Sequence, residues 1–178
     1  MSISPDASLR DVVAAVASVL KKHHITATLT GGACASLHSR GEYQSYDLDF
    51  ILHSRVTQLQ LDQAMVELGF ERVGAQYQHP DTPFFVEFPR GPLAIGDDDM
   101  VEPVEVRVGQ ARVWALSATD SCRDRLAAFY FWNDEQSLRA AAAIARRDKV
   151  DMDAILRWSH REGHKHGYQR FLQELARK

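Results

Sequence analysis

The first half of the chain changes repeatedly between helical and strand-like spacing of its apolar positions. Apolar residues recur every three or four positions from Leu9 to Leu20, which predicts a helix over residues 7–22. From Ile25 to Thr30 they alternate with threonines, which predicts a strand ending at Gly31 and Gly32. Further predicted elements are a short helix over 33–39, a strand over 47–52, a helix over 57–68, strands over 70–78 and 83–89, and a hairpin of 105–108 with 111–116.

The last third of the chain has helical periodicity only. It predicts helices over residues 119–132, 134–147, 150–162 and 166–177. Trp132 and Trp158 fall at helix-packing positions, so we expect both in the core. Strands and helices followed by helices alone indicate an α+β fold, with an α+β domain over residues 1–117 and a C-terminal helical region over 118–178.

Composition narrows the class of protein. A chain of 178 residues, 45% hydrophobic and 25% charged, has the usual makeup of a globular domain with or without a helical appendage. It has no apolar run of about 18 residues and no charged-then-apolar leader, so we expect a cytoplasmic protein without a membrane partner. Cys34 and Cys122 lack the spacing of a zinc ribbon and are expected to be buried thiols.

Charge is distributed unevenly along the chain. Residues 42–102 carry 12 Asp and Glu against 3 Arg, whereas residues 139–178 carry 10 Lys and Arg against 5 Asp and Glu. An acidic middle can hold divalent cations and a basic tail can face a polyanion, although solvated faces explain the tail equally well.

Two aspartates stand out within a predicted core strand. Side chains at positions i and i+2 of a strand share a face, so Asp47 and Asp49 point the same way. Two like charges resist burial together, and a divalent cation such as Mg²⁺, which prefers carboxylate oxygens, resolves the conflict. On these two residues alone, an edge strand with both carboxylates in water is an equal alternative.

Two further features favour the metal interpretation. Glu87 lies among aromatic residues, where a lone carboxylate is costly, so it pairs with an arginine or joins the two aspartates at a metal. Gly31 and Gly32 stand between a strand and a helix, where bare backbone can approach a phosphate. Together these five residues predict a site for a metal and a triphosphate.

The same residues resemble a known family. The run Leu29-Thr30-Gly31-Gly32, then Asp47-Leu48-Asp49-Phe50, then Glu87 on a later strand, is similar to the nucleotidyltransferase fold of DNA polymerase β, the minimal nucleotidyltransferases and the AbiEii-type toxins. Ser45 matches a Ser or Thr often found two residues before the first aspartate in the AbiEii group. Glu87 stands where Asp is more common, and Arg125-Leu126 with Asn133-Asp134 only echoes the AbiEii helical motif.

The resemblance implies an activity and a set of roles. A nucleotide would pass from an NTP to an RNA (tRNA) or protein acceptor. The resemblance also implies a toxin-antitoxin or phage-defence system with a cognate toxin or antitoxin protein. Asp47, Asp49 and Glu87 would be catalytic and bind Mg²⁺ (or Mn²⁺), with Glu87 sharing a metal or activating the acceptor hydroxyl. The predicted phosphate- and nucleotide-binding residues are Gly31, Gly32, Ser45 and Arg125.

Other chemistry-bearing residues have ordinary explanations. The run Asp97-Asp98-Asp99 is expected to form a solvated turn, because three adjacent carboxylates cannot point one way. Arg123 and Arg125 can reach phosphates or form surface salt bridges, and Tyr43 and Tyr46 are candidates to line a nucleotide pocket. The basic positions that can contact a tRNA end are Arg157, Arg161, Lys165 and Arg170. A different prediction applies to three histidines, which are expected at a solvated helix end: His160, His164 and His166.

Two alternatives to an active enzyme stay open at this point. One is a binding module that retains the fold, has lost catalysis and acts on a partner through its helical tail. The other is a structural α+β protein whose carboxylates face solvent.

Overall fold

The computed structural model describes residues 3–177, and within that range it contains seven helices and seven strands. The helices are α1 (Leu9–Lys22), α2 (Gly31–His38), α3 (Gln58–Val66), α4 (Ala118–Trp132), α5 (Glu135–Arg147), α6 (Met152–Arg161) and α7 (Lys165–Ala176). The strands are β1 (Ala27–Thr30), β2 (Asp47–Leu52), β3 (Glu71–Val73), β4 (Gln76–His79), β5 (Thr82–Glu87), β6 (Val104–Val108) and β7 (Ala111–Ala115).

The strands form one mixed sheet in the order β3-β4-β5-β2-β1-β7-β6. The central strand β2 runs parallel to β5 and antiparallel to β1, and β1 runs parallel to β7. The predicted α+β class, a mixed sheet flanked by helices and followed by a C-terminal set of helices, is confirmed. The division into parts 1–117 and 118–178 stays a prediction.

One predicted strand is in fact a hairpin. The segment 70–78 contains β3 and β4, which pair antiparallel around Gly74. Gly74 has a φ of +66°, a left-handed conformation that most side chains avoid. The turn was not predicted because the segment has mixed polarity. The alternation of apolar residues does not indicate where the chain reverses direction at a glycine.

Side-chain caps fix where several helices begin. The Ser8 hydroxyl accepts the Asp11 N–H, while the Asp11 carboxylate accepts the Ser8 N–H, which is the reciprocal arrangement of a capping box. Thr57 and Gln60 repeat it at the start of α3. These caps explain why both helices start one or two residues later than apolar periodicity alone predicts.

Helix α2 lies at the centre of the molecule. It packs on β2 and β1 on one side and on α4 and α5 on the other, and all eight of its residues are buried. The His38 side chain ties it to the helical region, with Nδ1 2.8 Å from Asp148 Oδ2 and Nε2 2.9 Å from the Leu116 carbonyl. Because both ring nitrogens face acceptors, the geometry favours the doubly protonated imidazolium.

The two tail tryptophans have different environments. Trp158 is 1% exposed and lies under the Arg123 guanidinium, as expected for a core residue. The prediction that Trp132 lies in the core is wrong, since it is 76% exposed. Trp132 is the last residue of α4, and Asn133 after it adopts a left-handed conformation that turns the chain into α5.

Within residues 3–177, no helix has the length and apolar character needed to cross a bilayer.

Candidate active site

Three carboxylates meet on one face of the sheet. Asp47 and Asp49 lie two residues apart on β2, and Glu87 lies directly opposite Asp49 on the parallel strand β5. One oxygen from each carboxylate lies within 4.8 Å of the other two. In the part of the chain that the structure describes, this is the one group of three or more metal-ligating side chains close enough to share an ion. We call Asp47, Asp49 and Glu87 the carboxylate site.

The electrostatics of this cluster are unfavourable without a cation. Burial and the Glu87 carboxylate raise the pKa of Asp47 to about 6. Burial and the charges of Asp47 and Glu87 raise the pKa of Asp49 to about 7. The Asp47 Oδ1 atom is buried and has no hydrogen-bond partner among residues 3–177. Because buried polar atoms are normally paired, this oxygen marks a place where a ligand is needed.

The third carboxylate is oriented by its neighbouring strand. Gln76 is the register partner of Glu87 on β4, and its Nε2 donates to Glu87 Oε1 at 2.7 Å. The contact occupies one carboxylate oxygen and leaves the other free to join the cluster. Gln76 could not be predicted from the sequence, because only the register of β4 against β5 shows that Gln76 pairs with Glu87.

The two glycines open α2 directly beside the acids. Gly31 has a φ of +64°, and a Cβ added there would lie 2.3 Å from Asp49 Oδ2. A Cβ at Gly32 would lie 2.5 Å from Ser45 Oγ. The predicted helix at 33–39 therefore starts two residues earlier, and the first N–H groups of α2, which lack intrahelical acceptors, belong to these glycines.

Ser45 holds the entry to β2. Its hydroxyl accepts the Asp47 N–H and donates to the Asp47 carbonyl, each at 3.2 Å. This pair of hydrogen bonds fixes the backbone from which the Asp47 carboxylate projects. A role of Ser45 in phosphate binding stays a prediction, since the hydroxyl is engaged with the backbone.

Arg125 brings a positive charge to the acids from α4. It is 17% exposed in its side chain, and its Nε and Nη2 donate to Asp124 Oδ2 at 3.1 and 2.8 Å. The guanidinium charge opposes the rise in pKa of both Asp47 and Asp49. Asp124 was not among the predicted site residues, although its position next to Arg125 in the sequence allowed a contact between the two side chains to be expected.

The two tyrosines before β2 differ in their surroundings. The Tyr43 hydroxyl lies 3.4 Å from the Cβ that Gly32 lacks, and burial raises the Tyr43 pKa. Tyr46 is 57% exposed and stacks on Phe84 with ring centroids 5.7 Å apart. Strand alternation places Tyr46 and Phe84 on the opposite face from the carboxylates. Only Tyr43 of the predicted pair therefore lies beside the candidate site.

Arg123 does not reach the carboxylate site. Its guanidinium binds Asp98 and also donates to Asp120 at 2.8 Å. We call these three residues the Arg123 network. The expectation of a fully solvated turn is thus wrong for Asp98, whereas Asp97 and Asp99 are exposed as predicted.

Of the basic positions proposed for RNA, Arg170 forms a bidentate pair with Glu135.

Comparisons with known proteins identify the fold. No family model matches the sequence, and no curated protein is similar enough to count as a relative. The structure is similar to the crystal structure of an antigenic nucleotidyltransferase-like protein from Paracoccidioides brasiliensis, with a TM-score of 0.59 and 17% identity over 94% of this chain and 86% of that one. It is also similar to the solution structure of the antibiotic-resistance factor ANT(2'')-Ia, with a TM-score of 0.50 and 13% identity over 88% and 96% of the respective chains. The chain therefore has a nucleotidyltransferase-like fold.

Proposed function

We propose that the protein is a metal-dependent nucleotidyltransferase that uses an NTP. The observation that carries the proposal is the carboxylate site, with three oxygens within 4.8 Å and one buried oxygen without a partner. Oxygen ligands of this kind suit Mg²⁺ or Mn²⁺, which bind through one or two carboxylates and complete their coordination with water and phosphate. The nucleotidyltransferase-like fold supports the same activity.

Roles follow from the positions of the side chains. Asp47 and Asp49 would hold the metal, which when bound would neutralise phosphate charge and help align donor and acceptor. The free N–H groups at the start of α2, around Gly31 and Gly32, would bind the terminal phosphates. Arg125 would supply a further positive charge, while Ser45 would keep the start of β2 in place for the substrate.

The proposed reaction transfers the nucleotidyl group of the NTP to an acceptor hydroxyl. The acceptor hydroxyl oxygen forms a bond to the α-phosphorus, the bond from that phosphorus to the bridging oxygen breaks, and pyrophosphate leaves. Glu87, which is opposite Asp49 and is oriented by Gln76, would take the hydroxyl proton or share the metal. Such a reaction requires mainly positioning and charge neutralisation.

We propose an RNA (tRNA) or protein as the acceptor, with a setting in toxin-antitoxin or phage-defence biology. Two basic positions in the tail, Arg157 and Lys165, have no ion-pair partner within residues 3–177 and support a polyanionic acceptor. An RNA acceptor would bind less tightly as salt rises, whereas a protein acceptor would show a weaker dependence.

The test is transfer of label from an α-phosphate-labelled NTP, in Mg²⁺, to total RNA and to protein from a bacterial lysate. We expect labelled product from the wild type and none from Asp47→Asn with Asp49→Asn. Equal labelling by both proteins would refute the assignment of the site.

A second candidate function is a binding module without catalysis. It is favoured by the Gln76 amide, which occupies one oxygen of Glu87. Calorimetry with Mg-NTP and with a non-hydrolysable analogue separates the two: tight binding without turnover supports the binding module, and binding with turnover supports the enzyme.

A further inference from the structure

A cavity lies beside the loop that leads into β2, and its lining does not include Asp47, Asp49 or Glu87. Its volume is about 540 Å³, within the roughly 300–1,000 Å³ typical of small-molecule sites. Three segments and one strand residue surround it, and its lining includes Arg10, Leu37, Arg40, Ser45, Tyr46 and Phe84. We call this space the loop cavity.

The floor of the loop cavity is apolar and aromatic. Leu37 is buried, and the Tyr46 and Phe84 rings stack with an interplanar angle of 29°. Tyr46 nevertheless leaves 57% of its surface open to solvent. Large exposed aromatic residues in a concave site mark places where a planar apolar group gains from burial.

The rim of the cavity is positively charged. Its lining contains Arg10 and Arg40 and no Asp or Glu, and both arginines are exposed. Within residues 3–177, neither arginine forms an ion pair or a side-chain hydrogen bond. The cavity thus combines aromatic side chains with two arginines that make no direct ion pair in the described residues, and such guanidinium groups are well suited to carboxylate, sulfonate or phosphate oxygens.

The two arginines lie at helix ends that face the cavity. Arg10 is the second residue of α1, where a cation faces the positive end of the helix dipole. Arg40 follows the end of α2 with a φ of +53°, and the Arg40 and Gly41 N–H groups donate to the Leu37 and Ser36 carbonyls, which is the usual hydrogen-bonding pattern at a helix C-terminus.

We propose that the loop cavity binds a small molecule with a planar aromatic ring and an anionic group. The ring would lie on Tyr46 and Phe84, and the anion would contact Arg10 and Arg40. The site is distinct from the carboxylate site, but both meet the same loop, because Ser45 and Tyr43 line the cavity and also contact the position of Gly32. Ligand in the cavity would thereby influence the backbone that carries Asp47.

The probe for this test is 1-anilinonaphthalene-8-sulfonate, an aromatic anion whose fluorescence rises in apolar surroundings. We expect saturable binding of one molecule per folded chain. Arg10→Gln with Arg40→Gln should weaken binding at least about tenfold, since hydrogen bonds to charged groups contribute that much. The matched control, Arg55→Gln with Arg90→Gln, removes two exposed arginines outside the cavity and should leave binding unchanged.

Two further arms isolate the ring and the charge. Tyr46→Ser should weaken binding of the sulfonate and also of the uncharged analogue N-phenyl-1-naphthylamine, whereas the double arginine variant should affect only the sulfonate. The variant Asp47→Asn with Asp49→Asn should bind the probe normally, so failure of the proposed transferase activity does not affect this result.

Several outcomes would overturn the proposal. Sulfonate binding that is insensitive to Arg10 and Arg40 would place the probe elsewhere. Competitive displacement by Mg-ATP would make the cavity part of the nucleotide site, and a dimer in sedimentation that blocks the probe would make it an interface between two copies. Near-ultraviolet circular dichroism of each variant guards against probe binding to a loosened fold.

Discussion

Two groups of acidic residues in this molecule reach opposite electrostatic states. In the Arg123 network, the guanidinium lies between Asp98 and Asp120, and its hydrogen bond holds the pKa of Asp98 below its usual value. In the carboxylate site, acids face acids, and burial together with like charges raises the pKa of Asp47 and Asp49. The first group has a hydrogen-bonded cation within the chain, whereas the two aspartates of the second have only the more distant charge of Arg125.

The contrast separates structural charge from functional charge. A buried carboxylate with a complementary cation contributes to the fold and needs nothing more. A cluster of partly buried carboxylates with a single arginine nearby costs stability, and the chain retains it at a sheet position fixed by main-chain register. Electrostatic strain of this kind is common at sites that bind a cation or a substrate.

The largest expected effect is on catalysis. Asp47→Asn with Asp49→Asn should lower nucleotidyl transfer by about 10³-fold, because loss of metal-borne charge stabilisation is worth several kcal/mol. The matched control is Asp97→Asn with Asp99→Asn, which removes two exposed acids and should retain activity. Initial rates with labelled NTP measure both. A comparable loss in the control would mean that general acidity, not the carboxylate site, matters.

Breaking the Arg123 network should destabilise the fold. Arg123→Met leaves Asp98 and Asp120 without their cation, and we expect a loss of roughly 3 kcal/mol in the free energy of unfolding, the low end for a buried pair since both acids keep some solvent contact. Urea denaturation measures it. Specific activity per folded molecule should stay near the wild-type value, and a selective loss of activity would place Arg123 in the site after all.

The close contact between Gly31 and Asp49 can be isolated with a matched glycine. Gly31 and Gly109 have nearly the same left-handed φ, +64° and +60°, but a Cβ at Gly109 would meet nothing within 4 Å. Gly31→Ala should therefore cost about 1–2 kcal/mol more than Gly109→Ala, as expected for overpacking. Gly31→Ala should also displace Asp49 and weaken metal binding. Equal costs for the two variants would show that the contact is unimportant.

The smallest expected effect is a pH dependence of opposite sign in the two acidic groups. The pKa of Asp49 rises from 3.8 to about 7 on folding, so the folded chain binds more protons at this carboxyl. The contribution of Asp49 to the free energy of unfolding therefore falls as pH rises from about 4 to about 7. Asp98, with its lowered pKa, contributes stability above its ordinary value and loses it in acid. Asp49→Asn should raise the free energy of unfolding at pH 8 by on the order of 1 kcal/mol, with little change at pH 4.

Urea denaturation at pH 4, 6 and 8 checks this prediction, with and without Mg²⁺. Mg²⁺ should stabilise the wild type at pH 8 and have little effect on Asp49→Asn. A difference in the free energy of unfolding between the wild type and Asp49→Asn that does not change between pH 4 and pH 7 would contradict the raised pKa of Asp49.

Much of the fold could be predicted from the sequence, because apolar periodicity reflects burial directly. The boundaries of most helices and of β2 and β5 follow from it. The hairpin at Gly74 and the exposure of Trp132 could not be predicted, since each depends on one left-handed residue that reverses the chain. Periodicity records which face is apolar and does not reveal where the chain leaves the core.

The candidate site was predictable in its residue types but not in its arrangement. The i, i+2 spacing of Asp47 and Asp49 indicates a shared face. That Glu87 lies opposite Asp49, and Gln76 opposite Glu87, depends on pairing between β2, β5 and β4, which is set by contacts far apart in sequence. The difference between Arg123 and Arg125, two residues apart on α4, depends likewise on which acids each meets.

The central claim is that the carboxylate site binds a divalent cation together with an NTP. Electron paramagnetic resonance of Mn²⁺, titrated with protein in the presence of a non-hydrolysable NTP analogue, tests it most directly, because bound Mn²⁺ loses the sharp signal of the free ion. We predict saturable Mn²⁺ binding by the wild type that needs the nucleotide for full affinity and is lost in Asp47→Asn with Asp49→Asn. Binding of equal strength by the double variant would contradict the account.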